Sequence, residues 1–250
     1  MERFQNTVLV ASRNKGKIPE IVESLDLADW QFIPLSAYDD TPSPAETGTT
    51  YEENARIKAW AARTTMRSSE KTPARPSTHT PAHPSTRPPA NTPTRPPTHT
   101  PANTPATLAD DSGLEVDALG GAPGIHSARF GGEGTTDERN VERLLAALKA
   151  VSEAERRARF ICCVVYVDEE GHEIVSQGVC EGRIADAPRG AGGFGYDPVF
   201  LPDEIDDGRT MAELTPEEKG RLSHRGKALR ALREELIVHY DLETQGGKAR

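Results

Sequence analysis

From about residue 66 to residue 107 the chain repeats Thr-Pro, His-Thr-Pro-Ala and Arg-Pro units and offers almost no aliphatic side chain to bury. Packing does not repay the ordering entropy of such a segment, so it is expected to stay extended and partly polyproline-II, a disordered low-complexity insertion. This constrains everything else in the 250-residue chain. Residues 1–65 and 108–240 have to build one domain together, and residues 241–250 read as a frayed tail. Roughly 210 residues of ordinary sequence remain, enough for a single well-buried core.

Charge divides along the same line. The insertion carries Arg67, Lys71, Arg75, Arg87 and Arg95 against Glu70, a net of +4 in a chain of −9, which leaves −13 on the body. An acidic body is a poor non-specific binder of nucleic acid and must meet a phosphorylated ligand through local cations or a metal. Cys162, Cys163 and Cys180 include an adjacent pair and an odd total. That pattern suits neither a disulfide framework nor a CxxC metal knuckle, so buried small hydrophobes in a reducing, cytoplasmic compartment are expected. No signal-peptide pattern precedes the first strand-like run and no apolar stretch approaches membrane-spanning length, so a soluble chain without a membrane partner is expected.

Hydrophobic periodicity supplies the elements. "TVLVAS" (7–12) predicts a buried strand, "RNKGK" a polar turn and the following residues a helix through about Leu25; "QFIPL" (31–35) predicts a second strand. Thr50 and Glu53 stand in capping-box relation at the head of a helix that runs up to the insertion. "TLADD" and "LEVDAL" predict a strand and its continuation, and "GGAPG" a turn. A second capping box, Thr135 to Glu138, precedes a helix whose Val141, Leu144, Leu145 and Leu148 share one face. "FICCVVYVD" and "EIVSQGVCEGRI" predict a hairpin around "EEGHE". A third box, Thr215 to Glu218 with Pro216 between, precedes a last helix from about Ser223 that buries Leu229, Leu232 and Leu236. Interleaved strands and helices with a hairpin imply an α/β domain with a mixed central sheet.

Three groups of residues carry chemistry. Asp110 and Asp111 are expected at the end of a strand, where neighbouring side chains face opposite ways; one would face a cleft and the other tie down backbone. Asp-Asp-Ser-Gly is equally an ordinary turn composition. "ASRNKGK" offers backbone amides and Lys15 or Lys17 to phosphate at a helix start, or else is a solvated turn. It is not a Walker loop, which needs Gly in place of Ala11 and a hydroxyl in place of Ile18. "GAGGFGYDPVF" sets flexible backbone around two aromatics, suited to a base or sugar, while Lys219, His224 and Arg225 lie beside a helix start. Of two loop carboxylates, Glu53 has a local capping use and Glu46 has none, which makes Glu46 the better metal-ligand candidate.

Five stretches in this order, "VLVASRNKGK", "ETGTTYEENARIKA", "LADDSGLEVDALGGAPGIHSARFGG", "GGFGYDPVF" and "MAELTPEEKGRLSHRGKAL", resemble the inosine triphosphate pyrophosphatase, or Ham1-like, family. The resemblance implies an elongated two-lobed α/β fold around a central cleft, usually homodimeric. It implies Mg²⁺-dependent hydrolysis of ITP, dITP or XTP to the monophosphate and pyrophosphate. Carried onto matching positions, Ser12, Arg13, Asn14, Lys15, Gly16 and Lys17 would line the phosphate side. Glu46 and Asp111 would serve the metal, with Asp111 the proton acceptor. Ser112, Phe194, Gly195, Tyr196, Asp197, Lys219, His224 and Arg225 would contact the nucleotide. The chain departs from the family at Ser12-Arg13, usually Thr-Gly, and in the insertion itself. Two other readings stay open on the sequence: a Maf-like pyrophosphatase acting on other modified nucleotides, and a nucleotide-binding sensor without turnover.

Overall fold

The computed structural model describes residues 6–12, 17–27, 29–37, 44–69 and 104–242, the side chains of 66–69 excepted. Strand β1 (Thr7–Val10) leads into helix α1 (Lys17–Leu25), strand β2 (Gln31–Pro34) and helix α2 (Tyr51–Ser69). Then follow strand β3 (Ala106–Val116), helix α3 (Asp137–Ala147), and the hairpin of β4 (Arg157–Val167) and β5 (Glu173–Ile184). Strand β6 (Phe200–Pro202) and helices α4 (Pro216–Leu222) and α5 (His224–His239) complete the domain. The sheet runs β2-β1-β3-β4-β5-β6, with β1 parallel to β2 and β3 and the remaining pairs antiparallel, a mixed sheet as expected.

The three long strands β3, β4 and β5 carry three clusters of core side chains, two on opposite faces of one end and one at the other. At one end Leu108, Cys162 and Val164 pack under Ile21 and Leu25 of α1 and Leu229, Leu232 and Leu236 of α5. On the opposite face of the same end, Ala109 and Val165 meet Ala55 and Ala59 of α2. At the other end Leu114, Val116, Phe160 and Ile184 pack against Val141, Leu144 and Leu148 of α3. Each fully buried leucine contributes about 1.5–3 kcal/mol. The expected leucine faces of α3 and α5 are therefore the faces that close clusters at the two ends. Between them, at Asp110 to Gly113, β3 crosses from one lobe to the other.

Two glycines set the close approaches there. A Cβ on Gly178 of β5 would overlap the His224 carbonyl and the Ala228 amide, so only glycine lets the start of α5 lie directly on the strand. A Cβ on Gly113 would overlap the Gly124 carbonyl and stand 2.8 Å from Ser127 Oγ.

Several boundaries differ from expectation, for local reasons. Strand β3 begins at Ala106, one residue early, because Ala106 pairs with Val8 of β1 just as Thr107 pairs with Leu9. It ends at Val116; Asp117–Leu119 forms a 3-10 turn closed by Gly120 at φ 63° instead of continuing the strand to Leu119. Helix α2 runs on to Ser69, so residues 66–69 are helical. Helix α3 is capped by Thr136, which accepts the Arg139 amide, one residue after the expected Thr135. The box of Thr215 and Glu218 with Pro216 forms as expected, and Ser223 caps α5. Asp241 and Leu242, expected to fray, hydrogen-bond back to Val238 and Ile237. Residues 70–103 of the expected insertion and 243–250 of the expected tail lie outside the described residues. All three cysteines are buried and free. Among the described residues no helix is long and apolar enough to cross a membrane.

Candidate active site

Asp110 and Asp111 lie in the middle of β3, not at its end, and their side chains leave by opposite faces. Asp110 is buried on the face of α1 and α5. It accepts Lys17 Nζ at 2.8 and 3.1 Å and Arg225 Nε and Nη2 at 3.2 Å each. Burial alone would push its carboxyl up, but the Lys17 and Arg225 charges hold it far below the usual carboxylate range. Arg225 is itself buried, with Glu20 Oε2 as a second anion at 2.8 Å. The expected tie to backbone is thus a tie to two cationic side chains.

Asp111 faces α2. Its Oδ1 lies 2.7 Å from Lys58 Nζ and its Oδ2 accepts Asn54 Nδ2 at 3.3 Å. Lys58 Nζ is also 2.7 Å from Glu46 Oε1, and Arg129 reaches Glu46 Oε2 at 3.4 Å. Glu46 is therefore not without employment; it and Asp111 converge on one ammonium. Burial pushes the Asp111 carboxyl above its ordinary value, and Glu46 adds to this; Lys58 and Asn54 offset part of the rise. Lys58 is held above its ordinary value by Asp111 and Glu46, against its burial. Glu53 does serve its helix: its amide donates to Thr50 Oγ1 at 3.1 Å, as the expected box requires, and its carboxylate accepts the Thr49 amide at 2.6 Å.

On the far side of the cleft, His224 stacks on Phe160 at 4.7 Å and 13°. Its Nδ1 is buried without a hydrogen-bond partner among the described residues. Burial, then the Arg225 charge, keeps the ring's pKa well below the usual histidine value, so the imidazole is neutral at pH 7. Phe194 stands 40% exposed on the rim, with Lys219 Nζ 4.7 Å and Arg225 Cζ 5.5 Å from its ring centre. Buried Asp197 orders this loop: it accepts the Phe194 amide at 2.9 Å and Lys219 Nζ at 2.6 Å. Its carboxyl is raised by burial, with Lys219 pulling the other way.

A cleft of about 320 Å³ brings together Lys17, Glu46, Asp111, Ser112, Phe194, Gly195, Tyr196, Asp197, His224 and Arg225. Tyr196 joins it mainly as a core residue, its hydroxyl donating to the Ser127 carbonyl at 2.8 Å. Lys219 lines the neighbouring groove beyond Phe194 and reaches the cleft through Asp197. Ser12 is described but is not part of the lining. Arg13, Asn14, Lys15 and Gly16 lie outside the described residues. Sequence reasoning missed Lys58 and Asn54. The signal was present: they are four apart in "TYEENARIKA", on one face of α2.

The donors around Lys58 fit a hard divalent cation. Glu46 and Asp111 come from separate elements, and each aims a carboxylate oxygen at one shared cation position.

The model of the Ham1 family matches residues 8–74 and 91–235, and leaves unmatched only the middle of the Pro/Thr-rich tract and the two ends. The chain is 40% identical over 244 residues to the dITP/XTP pyrophosphatase of Geobacillus kaustophilus, covering 97% of this chain and 98% of that one. It is 39% identical over 236 residues to the protein of the same name from Cutibacterium acnes, covering 94% and 98%. Among solved structures, a HAM1 protein from Coxiella burnetii superposes with a TM-score of 0.71 at 34% identity, covering 94% of this chain and all of that one. The Staphylococcus aureus Ham1 protein gives 0.70 at 33% identity, covering 93% and 99%.

Proposed function

The chain belongs to the Ham1 family, and from that premise we propose that it hydrolyses dITP, ITP and XTP to the monophosphate and pyrophosphate, removing deaminated purines from the nucleotide pool. The observation that carries this reading is the division of the cleft. One wall holds Glu46, Lys58 and Asp111, and the other holds Phe194, His224 and Arg225.

The triphosphate lies toward Lys17 and the start of α1, where an ammonium and the positive end of the helix favour anions. Asp111 accepts a proton from the water that attacks the α-phosphorus; its raised pKa makes it a better acceptor than an ordinary carboxylate. Lys58, already fixed between the two carboxylates, neutralises charge that grows on the phosphoryl oxygens. Glu46 and Asp111 would hold Mg²⁺, which when bound supplies charge neutralisation for the polyphosphate leaving group. An acidic protein needs such a cation to accept a substrate of about four negative charges.

Phe194 stacks on the base. Arg225 is oriented by Asp110 and Glu20, which leaves its guanidinium as a fixed donor for a 6-oxo group. Adenine presents a donor at that position and is disfavoured. The protein is also proposed to act as a homodimer in the cytoplasm. Three buried, unpaired cysteines fit a reducing compartment, and the family resemblance supports the dimer.

The test is a panel of ITP, dITP, XTP, GTP, ATP and dUTP incubated with Mg²⁺, with the products identified. The expected outcome is pyrophosphate from the first three at rates well above ATP. Orthophosphate release would overturn the mechanism, and equal rates on ATP and ITP would overturn the specificity.

A further inference from the structure

A second cluster of ligating side chains sits at the turn of the β4–β5 hairpin, remote from the cleft. Asp168 follows β4 directly and lies five residues beyond Cys163, the β4 partner of Asp111, which is roughly 17 Å along the strand. Ligand atoms of Asp168, Glu170 and His172 all lie within 4.8 Å of one another. His172 Nδ1 is 2.8 Å from Asp168 Oδ2, and His239 Nε2 approaches the same oxygen at 3.2 Å. Two ligand atoms held tetrahedrally at about 2.0–2.1 Å from a zinc ion stand roughly 3.3–3.4 Å apart. The His172 and His239 approaches to Asp168 come near that; His239 stands outside the group of atoms that share 4.8 Å and joins it by turning its side chain.

The cluster is built, not incidental. Asp168 is buried, and its Oδ1 accepts the Gly171 amide at 2.6 Å and the His172 amide at 2.8 Å, which aims Oδ2 at the two histidines. Burial pushes its carboxyl up, but these hydrogen bonds bring it below its ordinary value, so it is an anion at neutral pH. The Arg63 guanidinium binds the Asp168 and Glu169 carbonyls and fixes the turn from the α2 side. His239 is the last residue of α5, where the negative end of the helix dipole favours a cation. His172 and Glu170 are exposed, so an ion has an open way in.

We propose that Asp168, Glu170 and His172, with His239 as a fourth donor, bind a borderline divalent metal of the zinc class, clamping the β4–β5 turn to the end of α5. Imidazole with carboxylate selects zinc over magnesium, which takes oxygen ligands almost alone. The site is structural and separate from the one that would hold Mg²⁺. Binding to the folded chain alone raises its stability by mass action.

The test compares the full chain with the double variant His172→Ala/His239→Ala. Both positions are outside the catalytic cleft, and Asp168, which shapes the turn, is kept. Zn²⁺ is titrated by calorimetry in excess Mg²⁺, which fills oxygen-only sites. His79, His83 and His99 are present in both proteins and contribute equally. The unsubstituted chain is expected to bind one Zn²⁺ more than the variant and to gain in Tm on adding Zn²⁺, where the variant gains less. Crystals soaked in Zn²⁺ should show anomalous density between Asp168 and His172. Mg²⁺-dependent hydrolysis should be the same in both proteins. Equal Zn²⁺ stoichiometry in the two proteins, or no anomalous density at the turn, would overturn the proposal. Glu170→Gln, at an exposed position, gives an independent check: it should weaken Zn²⁺ binding, and unchanged affinity would remove Glu170 from the set.

Discussion

The two faces of β3 at Asp110 and Asp111 hold the same side chain one residue apart and put it to opposite uses. Asp110 is enclosed by two cations that approach within 3.2 Å, and its proton is driven off far below the usual range. Asp111 has one cation, shared with Glu46, and its carboxyl is raised. A carboxylate saturated with partners is scaffold, and one left undersupplied in a cleft retains affinity for a proton. Alternation along a strand separates the roles, and the helices behind each face decide which residue takes which.

The largest effect expected from breaking this comparison is on turnover. Asp111→Asn should lower kcat by about 10²–10⁴-fold or more while the protein stays folded, since Lys58 keeps Glu46 as its partner. A drop of only a few-fold in a steady-state assay would assign the proton to another group. Asp110→Ala should do the reverse and act first on stability. It strips a buried guanidinium of one of its two anions, which costs about 3–5 kcal/mol in urea unfolding. A loss under about 1 kcal/mol would mean that Glu20 suffices for Arg225.

The pH dependence sharpens the same contrast. Asp110, depressed in the fold, contributes stability that is present above its unfolded pKa of about 3.9 and is lost as pH falls through its lower folded value. Asp111, raised in the fold, has the opposite sign for stability and costs some at neutral pH. Activity should therefore fall on acidification at a pH above the ordinary aspartate value, while the fold persists below it. A kcat/KM profile beside an acid unfolding curve checks the separation, and coincident midpoints would contradict it.

Gly178→Ala probes the base side. The added Cβ must push the start of α5 off β5, costing about 1–3 kcal/mol and raising KM through displaced His224 and Arg225. The smallest effect is expected from replacing residues 70–103 with a short Gly-containing turn. Arg63 already joins α2 to the Pro105 and Asp168 carbonyls, and loop length enters closure entropy only logarithmically, about 1–2 kcal/mol here. Activity within a few-fold is expected; a larger loss would show that the segment serves the site or a dimer.

Much of the fold was legible wherever a local rule decided it. The β4–β5 hairpin follows from its two apolar runs and polar turn, and the α3 and α5 leucine faces from helical spacing. The shift from Thr135 to Thr136 shows the limit of such rules, because Thr136 has Arg139 and no acid three positions on, yet caps the helix by accepting the Arg139 amide. The site was legible as a set of residues but not as a set of partners. Lys58 carries no signal of its role until α2 is laid across β3, and Arg225, expected beside a helix start as a nucleotide contact, proves buried between Asp110 and Glu20. Both roles depend on contacts more than fifty positions apart in sequence, on which periodicity is silent.

Asp110 Oδ2 is addressed at once by Lys17, which opens α1 on the proposed phosphate side, and by Arg225, which stands on the proposed base side. Two cations that share one oxygen compete for it, so a phosphate that draws Lys17 outward leaves Arg225 the stronger claim on Asp110 and firms its orientation. The two ends of the substrate are thereby read in concert, and by thermodynamic reciprocity a well-matched base eases the transfer of Lys17 to the phosphates by the same factor.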